Sequence, residues 1–264
     1  MVRGRCKLCE RNDQILQDGH MMPAGMYRRV LDEGSKNAHP VVITERGSHQ
    51  TSRQVRDFVF CSGCEKRFDT HGENYALRVA GNGDCFPLMQ MLEAVRPSFE
   101  KREWRGYNCI DTPVVDRDKL TYFGLSVFWR AAVHTWRSVE KNGKPLRIML
   151  GRKNCEQIRR YLLGETGPPA GVSLFFVVVT DRLSRRSFYL PTLNRKANFR
   201  WIFGFAACGL FYHLTLGKSL GREQTSTCLF NSPERWIWMR DGEGKVIEAL
   251  GSIIAKQPPD RRLK

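Results

Sequence analysis

Between residues 117 and 137, apolar side chains return every three or four positions. Tyr122, Leu125, Phe128, Trp129, Ala132, Val133 and Trp136 fall on one helical face, and "KNG" at 141–143 supplies a C-terminal stop. This is the strongest helical pattern in the chain, and its face reads as core. Upstream, "CSGCEKRFDTHGENYALRVA" opens a polar helix at residue 61, and "GNGDC" at 81–85 acts as breaker and N-cap for a second helix over 84–95, closed before Pro97. "KNCEQIRRYLL" at 153–163 predicts a short helix ending at Gly164, and "GETGPPAG" a linker or turn.

After Gly171 the period shortens. "VSLFFVVVTD", "RSFYLPTL", "FRWIFGFAA" and "GLFYHLTLG" are rich in β-branched and aromatic residues and separated by polar turns, which predicts a mainly antiparallel sheet. "RWIWMR" reads as a last strand, "DGEG" as a turn, the following stretch as an amphipathic closing helix, and "KQPPDRRLK" as a frayed tail. The opposite end of the chain lacks such periodicity: residues 32–57 are too hydrophilic for a core and read as an extended loop carrying one strand, "VVIT", at 41–44. The expected class is α+β, with a small metal-organised module at 1–80 and a basic α+β domain at 81–264. That second part would be helical to about 165, with the sheet and closing helix after 171.

Composition narrows the function. A hydrophobic content of 41% and a charged content of 27% exclude wholesale disorder. "MVRGRCKLC" carries no apolar signal segment, and "WIFGFAACGLFYHLTLG" at 201–217 is broken by glycines and His213, so a cytoplasmic protein with no membrane span is expected. The net charge of +16 points to a polyanionic partner, nucleic acid first. Residues 1–75 carry 12 Lys/Arg against 10 Asp/Glu, whereas residues 76–264 carry 31 against 17. A phosphate backbone would therefore be gripped mainly by the C-terminal two thirds; a merely solvated basic surface is the competing reading. "RWIW" and "FRWIF" place aromatics beside arginines, which suits core packing first and base stacking second.

The candidate chemistry begins with cysteine. Of nine, five stand alone (Cys85, Cys109, Cys155, Cys208 and Cys228) and read as small buried residues. The other four form two CxxC pairs, Cys6/Cys9 and Cys61/Cys64, which suit a structural zinc in a reducing compartment better than a disulfide framework. An ion capped by four thiolates has no open position for water, so any catalysis needs other residues. His20, in "DGHMMP", is placed by Pro23 at the end of a short strand. Glu65, Asp69, His71 and Glu73 follow the second pair, with Glu65 and Asp69 on one helical face and Asp69 beside Glu73. Joining the CxxC pairs through zinc would bring His20 to that cluster.

The order CxxC, xHxxP, then CxxC opening a polar helix resembles zinc-stapled HNH nucleases. "GHMMPAGMYRR", "FCSGCE" and "LSVFWRA" resemble in particular a branch of uncharacterised bacterial HNH-like proteins associated with phage defence, over about half the chain. The resemblance implies a ββα-metal, treble-clef-like module that hydrolyses phosphodiesters, of DNA more than RNA, with one Mg²⁺ or Mn²⁺. It implies His20 as general base with Glu65 as its catalytic partner, and Asp18, Glu65, Asp69, His71 and Glu73 as candidate ion ligands. Arg28, Arg29 and Arg56 become the candidate nucleic-acid contacts. The chain departs from the family at three positions: Gly19 replaces the ligand before the histidine, Arg56 with Asp57 replaces an asparagine, and Lys66 replaces a histidine or asparagine. Two other readings stay open. In one, His20 is a cap histidine and the acids a solvated helix face, giving a zinc-dependent binding module without turnover. In the other, the chain is a subunit working with a regulatory ATPase or sensor. A homodimer would suit paired cleavage.

Overall fold

A computed structural model describes residues 1–30, 41–44, 47–51, 53–137, 145–197, 200–217 and 220–241. Strand β1 (Val2–Gly4) leads into a knuckle carrying Cys6 and Cys9, and β2 (Gln14–His20) returns antiparallel to it. Pro23 ends that strand and precedes α1 (Ala24–Val30). The expected "VVIT" strand is β3 (Val41–Thr44), paired with β4 (Gly47–Gln50), which was not predicted. Strand β5 (Arg56–Cys61) then lies against β2, giving the order β1-β2-β5 with Leu16 opposite Cys61, His20 opposite Arg56 and an irregularity at Gln17/Asp18. The chain passes straight from β5 into α2 (Ser62–Phe68), on through a π-helical turn at Asp69–Glu73, and into α3 (Asn74–Val79). Within that turn a Cβ on Gly72 would sit 2.8 Å from the Phe123 backbone nitrogen, so the glycine lets the next long helix approach.

The predicted helix at 84–95 is shorter than expected. It is α4 (Pro87–Glu93), because Pro87 takes the first helical position and Asn82 bridges back to Cys85. Two short strands follow, β6 (Phe99–Lys101) and β7 (Trp104–Tyr107). The long helix is α5 (Arg117–Val133), whose N-cap Asp116 accepts a 3.0 Å bond from the Lys119 amide. It stops at Val133, ahead of "KNG", which lies outside the described residues. Trp136 is therefore off the helix: it bridges to Leu146, and its indole donates to the Arg130 carbonyl at 2.8 Å. Helix α5 is buried on nearly every side, since 14 of its 17 residues are covered.

Helix α6 (Arg152–Leu162) ends at Gly164, at φ +76°, as the pattern predicts. The remaining elements are β8 (Val172–Val179), α7 (Arg182–Arg185), β9 (Phe188–Ala197), β10 (Arg200–Ala207), β11 (Leu210–Gly217), α8 (Arg222–Ser226) and β12 (Ile237–Arg240). The second sheet runs β6-β7-β12-β8-β11-β10-β9, antiparallel except for the β12–β8 pair. The most apolar run thus becomes the β10–β11 hairpin, and among the described residues no helix is long and apolar enough to cross a membrane. The predicted closing helix and tail lie outside the described residues. Of the lone cysteines, Cys208 and Cys228 are buried, Cys109 and Cys155 half-buried and Cys85 exposed.

One core joins the two parts. Trp129 meets Phe60 at 5.8 Å and Phe68 at 6.5 Å on the side of the small sheet, while Phe123 and Phe128 pack on Phe205 of the large one. Helix α5 is thus shared across the boundary drawn at residue 80, and what it places between the two sheets bears on the candidate site.

Candidate active site and metal centre

Cys6 and Cys9 sit in the knuckle before β2, while Cys61 ends β5 and Cys64 lies in the first turn of α2. Among the described residues this is the one group of metal-ligating side chains whose ligand atoms all approach within 4.8 Å of one another. Cys9 Sγ and Cys61 Sγ are 3.9 Å apart; four sulfurs bonded at 2.3 Å around a tetrahedral centre would lie about 3.8 Å apart. The donor set also calls for a cation. The Cys64 thiol donates to Cys6 and holds it down to about 4, while Cys64 itself is pushed far up by giving that hydrogen bond, by burial, and by the second charge its ionisation would put beside Cys6. A divalent ion removes that conflict by taking the group as thiolates. The four cysteines therefore fit a structural metal ion.

Next to this group the end of β2, the start of α1 and the inner face of α2 enclose a cavity of about 370 Å³. Its walls are Gln17, Asp18, Gly19, His20, Pro23, Ala24, Ser62, Glu65, Lys66, Asp69, Glu73 and Arg130. Glu65 is the most unusual of them. Its Oε1 is buried and finds no hydrogen-bond partner among the described residues. Burial pushes its carboxyl up to about 7; Arg130 pulls it down, and the charges of Glu73 and Asp69 push it further up. A Cβ at position 19 would collide with that same Oε1, so Gly19 is what allows the Glu65 carboxylate to lie against β2. His20 is half-buried, and burial holds its imidazole below its ordinary value. A hydrogen bond with Gln54 opposes this; Arg56 and Arg130 reinforce it, and Asp18 works against them. The ring is consequently a neutral proton acceptor near pH 7.

Arg130, on α5, reaches the cavity from behind. Its Nη1 donates to the His20 carbonyl at 3.0 Å, its Nη2 to the Glu73 carboxylate and, at 3.4 Å, to Ser126 Oγ, and its guanidinium lies 4.7 Å from the Phe68 ring centroid. Both partners of the Arg130–Glu73 pair are buried; burial pushes Glu73 up and Arg130 pulls it back down. Removing one member leaves a buried charge alone, which costs about 3–5 kcal/mol, whereas replacing both with apolar residues is close to neutral. Arg130→Met should accordingly lower stability to urea by about that amount. Arg130→Met with Glu73→Leu should recover most of it, leaving about 1 kcal/mol for the lost bond to His20. Equal losses in the single and double variants would show that the pair does not set the cost.

Of the residues expected from sequence, His20, Asp18, Glu65, Asp69 and Glu73 all line the cavity. Asp18 is tied at the rim to Arg56, 3.3 Å away. Asp69 is exposed at the mouth, and Glu73 lies deep against Arg130. His71 is not part of the lining: its Nδ1 lies 3.0 Å from the Arg67 carbonyl and its ring 5.3 Å from Tyr122. Arg29 donates to the carbonyls of Ala80 at 2.8 Å and Gly81 at 3.2 Å, a brace for the end of α3, and Arg28 is exposed on α1; neither lines the cavity. Asp57, beside Arg56, points elsewhere, to His134 at 3.1 Å. Sequence reasoning missed Lys66 and Arg130 as cavity residues. Arg130 did carry a signal, being the one Asp, Glu, Lys or Arg between Lys119 and Arg137, where a buried charge needs a partner. Comparison with protein-family models, curated proteins and solved structures gives no match to this chain.

Proposed function

We propose that the protein is a divalent-metal-dependent nuclease of the HNH type, with zinc held by Cys6, Cys9, Cys61 and Cys64 and DNA as its substrate. The observation that carries this reading is the convergence of a neutral His20 and the unpartnered Glu65 carboxylate in one cavity beside Asp69. The arrangement around Gly19 supports it further. Where HNH-like sequences carry a ligand side chain before the histidine, this chain leaves space on the strand, and Glu65 brings a carboxylate into it from the helix.

In this reading Glu65 and Asp69 would hold one Mg²⁺ or Mn²⁺, which when bound supplies stabilisation of the scissile phosphate and the leaving oxygen. The chain does the rest. His20 accepts the proton of the attacking water, its ring steadied by Gln54 and its backbone by Arg130. Lys66, on the cavity wall, draws the phosphate in. The zinc is a staple, closed to water, that fixes the helix bearing Glu65 against the strand bearing His20. Cutting of plasmid or single-stranded DNA by the purified protein, dependent on added Mg²⁺ or Mn²⁺, tests the proposal. Intact DNA under all conditions, with zinc bound, would favour a binding module. The observation on that side is that Asp18 and Glu73 are already paired with arginines.

The Glu65 carboxylate makes a second prediction, read without any cleavage. Its folded value near 7 lies above its ordinary 4.5, so the stabilising contribution of the neutral form is complete below pH 4.5 and is lost as pH rises through 7. With zinc in place and no other divalent ion, the loss is on the order of 3 kcal/mol. Glu65→Gln should abolish this part of the pH dependence and be more stable than the wild type at pH 8. Added Mg²⁺ should stabilise the wild type and not the variant. Urea unfolding at pH 5 and pH 8 measures both effects, and parallel pH profiles for the two proteins would remove Glu65 from the ion site.

A further inference from the structure

The large sheet has two unlike faces. Because side chains alternate along each strand, Phe205 and Tyr212, which pack with Phe123 of α5, mark the covered face, while Phe175, His213 and Trp238 point the other way. On that second face lies a continuous array of rings. Trp238 stacks on Trp236 at 5.4 Å and on Phe175 at 6.0 Å, and meets Phe99 edge-on at 5.6 Å. Trp104 adjoins both Phe175 and Trp238, and His213 extends the row to β11.

A core would bury such rings, and the covered face does so: Tyr107, Phe176 and Tyr212 are almost wholly enclosed. In the array Phe99 is 42% exposed and the others are half-buried. The floor beneath them is built for flat rings. A Cβ at Gly106 would lie 2.9 Å from the Trp238 ring, 3.2 Å from that of Trp236 and 3.3 Å from Phe99, so any other residue there would lift the rings off the sheet. The Trp238 indole is fixed in turn by its bond to the Thr227 carbonyl at 3.1 Å. Cations border the array. The Arg240 guanidinium lies 5.2 Å from the Trp104 ring centroid, with Glu103 at 3.8 Å from it, and Lys101 is the exposed register partner of Trp104.

We propose that this face is a stacking platform for single-stranded nucleic acid. Partly exposed rings, bordered by cations and set in the part of the chain that carries 31 Lys/Arg against 17 Asp/Glu, match unpaired bases on a phosphate backbone. A duplex hides the faces of its bases and does not fit in this way. The proposal stands apart from the nuclease reading, since the rings belong to another sheet from that of His20.

The test measures binding with zinc retained and no added divalent ion, so that cleavage does not enter. Fluorescein-labelled oligo-dT, oligo-rU, an abasic strand of equal length and a duplex are titrated with the full chain, and tryptophan emission is followed alongside anisotropy. Base-bearing single strands should quench tryptophan and bind more tightly than the abasic strand, with dT against rU separating DNA from RNA. Trp104→Ala and Phe99→Ala should each weaken that binding roughly ten-fold and leave the abasic strand unaffected. Phe99, on a three-residue edge strand and more exposed than the other rings, can be changed without loss of the fold. Absence of binding, or equal affinity for base-bearing and abasic strands, would overturn the proposal. So would affinity unchanged in both variants. Binding that emerges only after removal of residues 242–264 would also overturn it, by assigning the face to the chain's own C-terminal segment.

Discussion

His20→Ala is expected, on the nuclease proposal, to lower metal-dependent DNA cleavage by about 10²–10⁴-fold, the range that a positioned general base contributes, with metal content and thermal stability unchanged. The separation is clean because His20 is held through its backbone. It pairs with Arg56 across the sheet, and Arg130 grips its carbonyl oxygen, so removing the imidazole disturbs neither bond. The ring meets Tyr27 only at 6.0 Å and is half exposed to the cavity, so little packing is lost. The pH profile adds a second readout. Burial holds the imidazole below its ordinary value, so the wild-type rate limited by this base should already be on its plateau at neutral pH. Added imidazole should restore part of the activity of the alanine variant. Equal rates for wild type and variant at matched zinc content would remove His20 as the base, while loss of zinc in the variant would show that the side chain supports the knuckle.

The sequence was most legible where one pattern decided one element. The four apolar runs after Gly171 became β8 to β11, and Gly164 ended α6, because turn chemistry and burial agree there. It was least legible where tertiary contact chose among locally similar options. Trp136 continues the helical spacing of α5, yet the helix stops at Val133 and the indole turns back to the Arg130 carbonyl. β6 and β7 are three and four residues long, too short to show alternation, and are recruited by pairing with each other and with β12.

The site divides in the same way. Cysteine spacing anticipated the metal-ligating group, and helical spacing put Glu65 and Asp69 on the cavity wall. His71 was one turn from Arg67 in the same stretch, but the π-helical turn intervenes and its ring goes to Tyr122 instead. Nor could Gly19 be read from the sequence: it appears as a missing ligand until the Glu65 carboxylate is seen lying against it.

On the proposal that the four cysteines hold a structural ion, its removal should have the largest effect on stability of any change. Structural zinc contributes roughly 10–16 kcal/mol to folding in small zinc domains at pH 7, which matches or exceeds the roughly 5–15 kcal/mol by which whole proteins are stable. The damage would not stay in the first 80 residues, because the core is continuous across them. Phe60 lies next to the end of β5 and Phe68 ends α2; both lie against Trp129, and Arg159 of α6 donates to the Leu8 carbonyl in the knuckle at 3.1 Å. Releasing the knuckle therefore strips one side of α5. A strong zinc chelator, or Cys64→Ser at the buried end of the group, should lower Tm by tens of degrees or abolish cooperative unfolding, with loss of near-ultraviolet circular dichroism from the packed Trp129. Cys9→Ser, at a half-buried ligand, should be milder and partly rescued by excess zinc. Withholding Mg²⁺ should do neither: it should stop the cleavage and forfeit only the smaller stabilisation that ion binding at Glu65 supplies. An unchanged melting curve for metal-free Cys64→Ser would mean that the four thiols pack without an ion and that the staple holds nothing in place.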